Sequence, residues 1–356
     1  MSDSLPERPD DLDYELPTDA IAQTPLANRD QARLLVDIEN TIKHHQVCDL
    51  PQLLREGDLL VINDTRVLPA RLPLVRATGG KAEVLLLNEH DDDGFDGTTA
   101  EADDNSWEAL VKPSARLKIG EILTPANQST VLQAEIGDDL GEGRRIVRLH
   151  TDKPLHDALA TVGIMPLPPY ITTNLDDPDR YQTIYARRAL SAAAPTAGLH
   201  FTSELFDNLA QAGIATASVE LVVGLDTFRP ITAERLDDHQ IHTERYQIPP
   251  KTQQAITETK ANNNRIVAVG TTVTRCLETW ALTGQAEGSS SLFIRRRFDW
   301  QIVDILMTNF HLPKSSLLCL LDAFIGPRWR TLYETALANN YRFLSFGDGM
   351  LIKRAR

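Results

Sequence analysis

Cysteine, long apolar runs, glycine-rich nucleotide loops and positive charge are all scarce in this chain, and each scarcity removes a class of function. The 356 residues include three cysteines, Cys48, Cys276 and Cys319, widely separated in sequence. They form no CxxC pair and no Cys/His cluster at metal-ligand spacing, which argues against structural zinc and iron–sulfur chemistry. An odd number of scattered thiols fits a reducing compartment, where such groups act as small buried hydrophobes. No stretch approaches the ~20 continuous apolar residues of a membrane span, so no membrane partner is expected. The opening residues MSDSLPE are acidic and lack the basic and apolar regions of a signal peptide, so a cytoplasmic protein is expected. His239 and His242 lie three apart with Glu244 nearby, but no further His or Cys ligand is close in sequence. Asp237 and Asp238 are the more natural partners of His239, and no metal is expected.

The charge balance is acidic: 50 Asp and Glu against 36 Lys and Arg, a net charge of −14. That is the wrong sign for phosphate contacts, which need Lys and Arg. The distribution changes the picture. Residues 89–104 hold eight acids and no Lys or Arg, and read as a solvated loop insertion. Toward the C-terminus, Arg295, Arg296, Arg297, Lys314, Arg328, Arg330, Arg342, Lys353, Arg354 and Arg356 outnumber the nearby acids. A basic face on an acidic protein is compatible with RNA without establishing it.

A hydrophobic fraction of 42% supports a real core, and the length favours about two domains. Residues 31–45 read as a helix ending at the polar 44–46, and Gly57-Asp58 as a turn before the buried strand Leu59-Leu60-Val61-Ile62. From about 72 to 150 the texture changes to short β-type runs (82–87, 107–111, 131–136, 145–149) between Gly-, Asp- and Pro-rich turns. Residues 155–162 look helical, and the prolines of 163–170 demand extended chain. A helix at 203–212 capped by Thr202 or Ser203, a strand at 219–223, a helix at 249–262 and a strand at 265–269 complete an α/β alternation. The expected fold is an α/β (mixed α+β) main domain, 1–71 plus 156–356, carrying an inserted antiparallel β-barrel-like domain at 72–155.

Several polar segments look over-specified for packing. NDTRVLPARL (63–72) follows a strand directly, where α/β sheets place ligands, and Arg66 and Arg71 suit carboxylate or phosphate; the plainer alternative is a surface turn in which Asp64 pairs with Arg66. AAPTAGLHFT (193–202) lets the backbone approach a ligand and offers His200 for proton transfer, though a lone His at a helix entrance is more often structural. VGTTVTR (269–275) opens a helix with clustered hydroxyls and amides, a natural carboxylate or ribose site without the GxGxxG spacing of dinucleotide binders. TNFHLP (308–313) follows another strand. The aromatics of YRFLSFGDGMLI (341–352) suit base stacking, but such alternation is more often strand core.

Together and in order, these segments resemble the S-adenosylmethionine:tRNA ribosyltransferase-isomerase family of queuosine synthesis. The resemblance runs nearly end to end through YELP (14–17), NDTRVLPARL, MPLPPYI (165–171), AAPTAGLHFT, DHQIHTERY (238–246), VGTT, TNFHLPKSSLL (308–318) and YRFLSFGDGMLI. It implies a large α/β domain with an inserted barrel, and S-adenosylmethionine consumed as a substrate with no further cofactor. The implied acceptor is 7-aminomethyl-7-deazaguanine at the wobble position of a tRNA with a GUN anticodon, and the products are epoxyqueuosine-tRNA, adenine and methionine. His200, His311 and Asp348 become the proton-transfer candidates. Thr271, Thr272 and Arg275 are expected at the methionine or ribose part, Arg66 and Arg71 at RNA phosphate or the methionine carboxylate. Asn63, Asp64, Thr196, Gly198, Thr227, Gly270 and Asn309 complete the expected substrate-binding set, in a monomer or weak homodimer.

The chain departs from the family pattern at four places. Leu190 and Asp226 stand where Gly is usual, Val222 where His is usual, and Arg296-Arg297 where a Pro-Gly pair is usual. These departures motivate two alternatives: a divergent paralogue using S-adenosylmethionine with another acceptor, and a non-catalytic tRNA-binding protein on the same fold.

Overall fold

The computed structural model describes residues 6–90, 105–224, 230–241 and 243–355. The chain divides into two compact units: Met1–Arg66, Pro168–Arg188 and Ala194–Arg356 form one, Val67–Leu167 and Ala189–Ala193 the other.

The first unit is built on a nine-stranded mixed sheet. Its centre is three neighbouring parallel strands, Leu59–Asn63, Ile266–Val269 and Ile305–Asn309, whose every residue is buried. Burial of all positions, with no alternation, requires cover on both faces, and apolar runs such as LLVI supply it. Ala215–Leu221 extends the sheet in parallel beyond Leu59–Asn63, and the antiparallel Glu244–Gln247 and Glu287–Ser290 finish that edge. On the other side Gly349–Lys353 runs antiparallel to Ile305–Asn309, followed by Arg33–Asp37 and Lys43–Gln46. The helix Ser203–Gln211 starts where expected, with the Thr202 hydroxyl accepting from the Leu205 amide at 3.1 Å.

Two expectations are overturned here. Residues 31–45 are not a helix but the strands Arg33–Asp37 and Lys43–Gln46 joined by a turn with Asn40 at φ 58°. Leu34, Leu35 and Val36 are consecutive and all buried, a pattern a one-sided helix cannot satisfy, and pairing with residues 349–352 decides the outcome. The aromatics of 341–346 precede the strand Gly349–Lys353 and do not lie in it. They close a core of their own: Phe343 stacks on Phe310 at 4.6 Å, and Tyr333 meets both rings edge-on. The chain there turns through Leu344 at φ 68°, and a Cβ on Gly347 would lie 2.4 Å from the Arg342 carbonyl oxygen.

The second unit is a closed barrel of six antiparallel strands, in the order 144–150, 106–112, 81–89, 71–76, 122–125 and 133–141. Alternate residues fill it, among them Leu72 and Leu74, Val84 and Leu86, Ala109 and Val111. The acidic tract falls between two barrel strands, and most of it lies outside the described residues. The helix Leu155–Val162 adds Ala158, Leu159 and Val162 to the barrel core, so the compact unit runs on to Leu167, past the boundary expected from sequence. Among the described residues no helix is long and apolar enough to cross a membrane.

Candidate active site

Parallel strands bring their C-terminal ends side by side. Val269 is registered with Met307 in the pair Ile266–Val269 and Ile305–Asn309. The first strand turns through Gly270, at φ 96°, into the helix Thr271–Thr283. That φ is open to glycine and strained for other residues. The second strand delivers Asn309 and, just beyond it, His311. Over these ends lies a cavity of about 590 Å³, the open solvent at its mouth included. Residues 194–197, 270–272 and 308–312 form its walls, with Tyr170, Val223, Ser315, Leu317, Leu344 and Ser345. No Asp, Glu, Lys or Arg is among the described residues that line it.

Its polar groups form a short relay. The Thr196 hydroxyl donates to Asn309 Oδ1 at 2.8 Å, and Asn309 Nδ2 lies 3.3 Å from His200 Nε2. Burial, and secondarily the neighbouring Arg29 and Arg342, push the His200 pKa down to about 4. His311 lines the cavity, and burial pushes it down to about 3. Both imidazoles are therefore neutral at pH 7, because a low-dielectric site disfavours the charged form. His311 Nε2 lies 3.1 Å from the Thr308 hydroxyl, and its backbone is clasped by Tyr333, which accepts from the amide at 2.9 Å, and Tyr14, which donates to the carbonyl at 2.5 Å. Tyr170 and Ser345 close one wall with a hydroxyl–hydroxyl contact of 2.7 Å.

Two helices begin at the cavity, and they are capped differently. Ser315 caps the Ser316–Ile325 helix, its hydroxyl accepting from the Leu318 amide. The Thr271–Thr283 helix has no side-chain cap, and the buried Thr272 hydroxyl has no hydrogen-bond partner. Unpaired first-turn amides together with an unsatisfied hydroxyl are the makings of an anion site.

A profile described as "Queuosine biosynthesis protein" matches residues 9–352. The chain belongs to the queuosine biosynthesis protein family. An S-adenosylmethionine:tRNA ribosyltransferase-isomerase of Staphylococcus saprophyticus is 45% identical over 349 residues, covering 96% of this chain and 98% of that protein. The protein of the same name from Staphylococcus haemolyticus is 46% identical over 352 residues. Among solved structures, S-adenosylmethionine tRNA ribosyltransferase from Thermotoga maritima is 34% identical with a TM-score of 0.53, covering 96% of this chain and 99% of that one.

Within this queuosine family member, the cavity gathers six of the residues expected at the site: Thr196, Gly270, Thr271, Thr272, Asn309 and His311. His200 stands one hydrogen bond behind, through Asn309. Gly198 is buried where a Cβ would lie 2.0 Å from the Tyr185 hydroxyl. The other expected residues are engaged elsewhere. The Asp348 carboxylate accepts from the backbone amides of Arg33 and Arg342 at 2.9 and 2.8 Å and from the Arg33 guanidinium at 3.3 Å. Asn63 is bonded to both backbone groups of Leu221, fastening two strands. Asp64 and Arg66 do not pair with each other: Asp64 lies 3.7 Å from Arg187, and Arg66 lies 3.4 Å from Asp179. Arg71 belongs to the barrel unit, 3.7 Å from Glu83. Arg275 is buried against Glu244 at 2.5 Å and donates to the Leu292 carbonyl, binding its helix to the edge strands. Thr227 and Asp226 lie outside the described residues.

Sequence reasoning passed over Tyr170, Ser315 and Ser345 as site residues. Each sits inside a recognised motif string, and the available signal was a hydroxyl embedded in an otherwise apolar or proline-rich run. The C-terminal cations are largely spoken for: Arg295 pairs with Asp237, Arg296 with Asp322, Lys314 with Asp10 and Asp13, Arg328 with Asp37, and Arg354 with Asp304. Arg297, where glycine is usual, sits at φ 71°. Among the described residues no group of three or more His, Cys, Asp or Glu is placed to hold a metal.

Proposed function

We propose that the chain transfers and isomerises the ribosyl group of S-adenosylmethionine onto 7-aminomethyl-7-deazaguanine at the wobble position of a GUN-anticodon tRNA, releasing adenine and methionine. The observation that carries this is a coincidence of two kinds of likeness. The family match spans the chain, and five of its motif strings, contributing residues from Tyr170 to Ser345, converge on one cavity at the strand ends.

The chemistry suits a site without charged walls. A sulfonium acidifies the adjacent ribosyl carbon, and removing that proton neutralises a cation. A cavity lacking carboxylates leaves the cation uncompensated, which favours its neutralisation. His311, neutral and exposed to the cavity, is the candidate acceptor of that proton. The imidazolium so formed can return that proton to departing adenine, so one residue serves as base and then as acid. His200 is the positioning partner of Asn309, and Asp348 a brace for the loop that carries Ser345. The open start of the Thr271–Thr283 helix is suited to the methionine carboxylate. In this reading the large unit carries the chemistry and the barrel is an inserted domain; the enzyme is cytoplasmic, a monomer or weak homodimer.

The test is release of adenine and methionine from S-adenosylmethionine, followed by chromatography, with and without tRNA carrying the aminomethyl-deazaguanine base. Release that requires the modified tRNA, with a matching mass gain on it, is expected. Release independent of tRNA, or tRNA binding with no release, would overturn the reading.

A further inference from the structure

Most arginines among the described residues are matched to carboxylates; four half-buried ones are not, and of these Arg330 lies over the Trp329 ring while Arg29, Arg180 and Arg342 have no such ring partner. No described Asp or Glu forms an ion pair with Arg29, Arg180 or Arg342. Their hydrogen bonds all go to neutral carbonyls. Arg29 donates to Leu199 and Asp179 oxygens at 3.0 and 3.1 Å, Arg180 to Ala27 and Leu26 at 3.3 and 2.5 Å, and Arg342 to Thr24. Arg180 Nε and Arg342 Nη1 are buried N–H groups with no acceptor. Burial, and for Arg29 the neighbouring Arg180, lower the pKa values of Arg29 and Arg342 from the ordinary arginine value; Asp177 and Asp179 near Arg29 and Asp348 near Arg342 offset this only in part.

Holding cations together in a half-desolvated place costs stability unless an opposite charge arrives. Arg29 and Arg180 line a groove with Pro25, Leu26, Phe346 and His200, and its wall includes Ser345, which also lines the cavity. Arg342 is outside that lining but at its margin: it holds the Thr24 carbonyl next to Pro25, and its charge, like that of Arg29, acts on His200. The groove and the cavity are therefore immediate neighbours. An enzyme that modifies a base draws it out of the stack, and the phosphates on either side of that nucleotide must then lie close to the site. The guanidinium fork fits phosphate oxygens, and a carbonyl-bonded arginine keeps N–H groups to offer.

We propose that Arg29, Arg180 and Arg342 form a phosphodiester site that holds the tRNA backbone beside the wobble nucleotide. The RNA comes from the proposed function; the phosphate comes from the three guanidiniums. This moves the backbone contact away from the Arg66 and Arg71 positions and from the paired C-terminal cations.

The experiment uses the full chain and an anticodon stem-loop RNA carrying the aminomethyl-deazaguanine base, with affinity read by fluorescence anisotropy across a salt series. Arg29→Gln, Arg180→Gln and Arg342→Gln are each expected to weaken RNA binding about 5- to 30-fold at low salt. Each should also flatten the slope of log Kd against log salt by about 0.7. The Lys variants should keep the slope, since a point charge still displaces a counterion. S-adenosylmethionine affinity, read by calorimetry, should stay within about twofold in the Gln variants. Because each arginine also holds a carbonyl, unmodified protein is tested in parallel against RNAs with a neutral methylphosphonate at either phosphate flanking the wobble nucleotide. At least one should bind about tenfold more weakly. Folded Gln variants with an unchanged slope, or full affinity for both methylphosphonate RNAs, would overturn the site. Adenine release is measured in the same samples: its absence alongside the expected RNA pattern would sink the catalytic reading and leave the phosphate site standing.

Discussion

Thr272 occupies a position where a hydroxyl has no internal reason to be. It is buried, unbonded, and set on the first turn of a helix that lacks a side-chain cap. A buried hydroxyl left unsatisfied costs on the order of 1–3 kcal/mol, which a bound carboxylate would offset. Thr272→Val should then weaken S-adenosylmethionine binding about tenfold while leaving decarboxylated S-adenosylmethionine unaffected. Calorimetry with both ligands checks this, and equal losses for the two would remove the carboxylate from that end of the cavity. The histidines make a second prediction. His200 and His311 titrate in the fold at about 4 and about 3, below the ordinary 6.5. As pH falls below about 6.5 the unfolded chain takes up protons first, so their contribution is complete above that value and is lost progressively toward the folded values. Each should cost on the order of 1 kcal/mol per pH unit across that window. Urea unfolding of wild type, His200→Gln and His311→Gln between pH 4.5 and 7 should show a shallower loss in the variants; superimposable slopes would count against neutral burial. The threonines were legible because polar residues at a strand-to-helix junction stand out from packing patterns. Tyr170 and Ser345 were not, because the contact that makes them one wall spans 175 positions and a hydroxyl in an apolar or proline-rich run does not by itself name its partner.

At the scale of elements, the continuous runs 59–62 and 266–269 declared themselves, since burial on both faces needs apolar residues at every position. The barrel declared itself through short β-type runs and the frequent Gly-, Asp- and Pro-rich turns between them. The strands Arg33–Asp37 and Lys43–Gln46 did not. Joined by a short turn they reach the length of a helix, and only their partners, far along the chain, decide between the two. The same dependence on distant partners explains Arg275. Four residues into its helix it resembled a ligand-binding cation, but its guanidinium serves Glu244 on an edge strand and the Leu292 carbonyl. Removing one member of a buried pair leaves an uncompensated charge, at a cost of about 3–5 kcal/mol. Arg275→Met should lower the unfolding free energy by that order, and Arg275→Met with Glu244→Leu should recover part of it. S-adenosylmethionine affinity in the folded variants should be close to wild type; a selective loss of affinity without loss of stability would return Arg275 to the substrate.

For the whole molecule, the tension lies between a net charge of −14 and the proposed RNA substrate. The internal pairing of Arg295, Arg296, Lys314, Arg328 and Arg354 sharpens it, because those cations are matched within the chain. In the proposed site the attraction for RNA is local: Arg29, Arg180 and Arg342 act at contact distance. The long-range field, in contrast, is repulsive, and residues 91–104 carry seven acids with no Lys or Arg. Replacing them by a short Gly-Ser turn between the strands Lys81–Glu89 and Ser106–Lys112 would halve the net charge without touching a barrel strand. Screening sets the outcome. At about 50 mM salt the Debye length exceeds 10 Å, and the shortened protein should associate with tRNA about two- to fivefold faster. At about 300 mM the two proteins should converge, and dissociation rates should be alike throughout, since no contact has changed. Stopped-flow association at both salt concentrations reads this directly. A difference that persisted at high salt would mean that the acidic segment touches the RNA, and its role would then be one of contact and not of field.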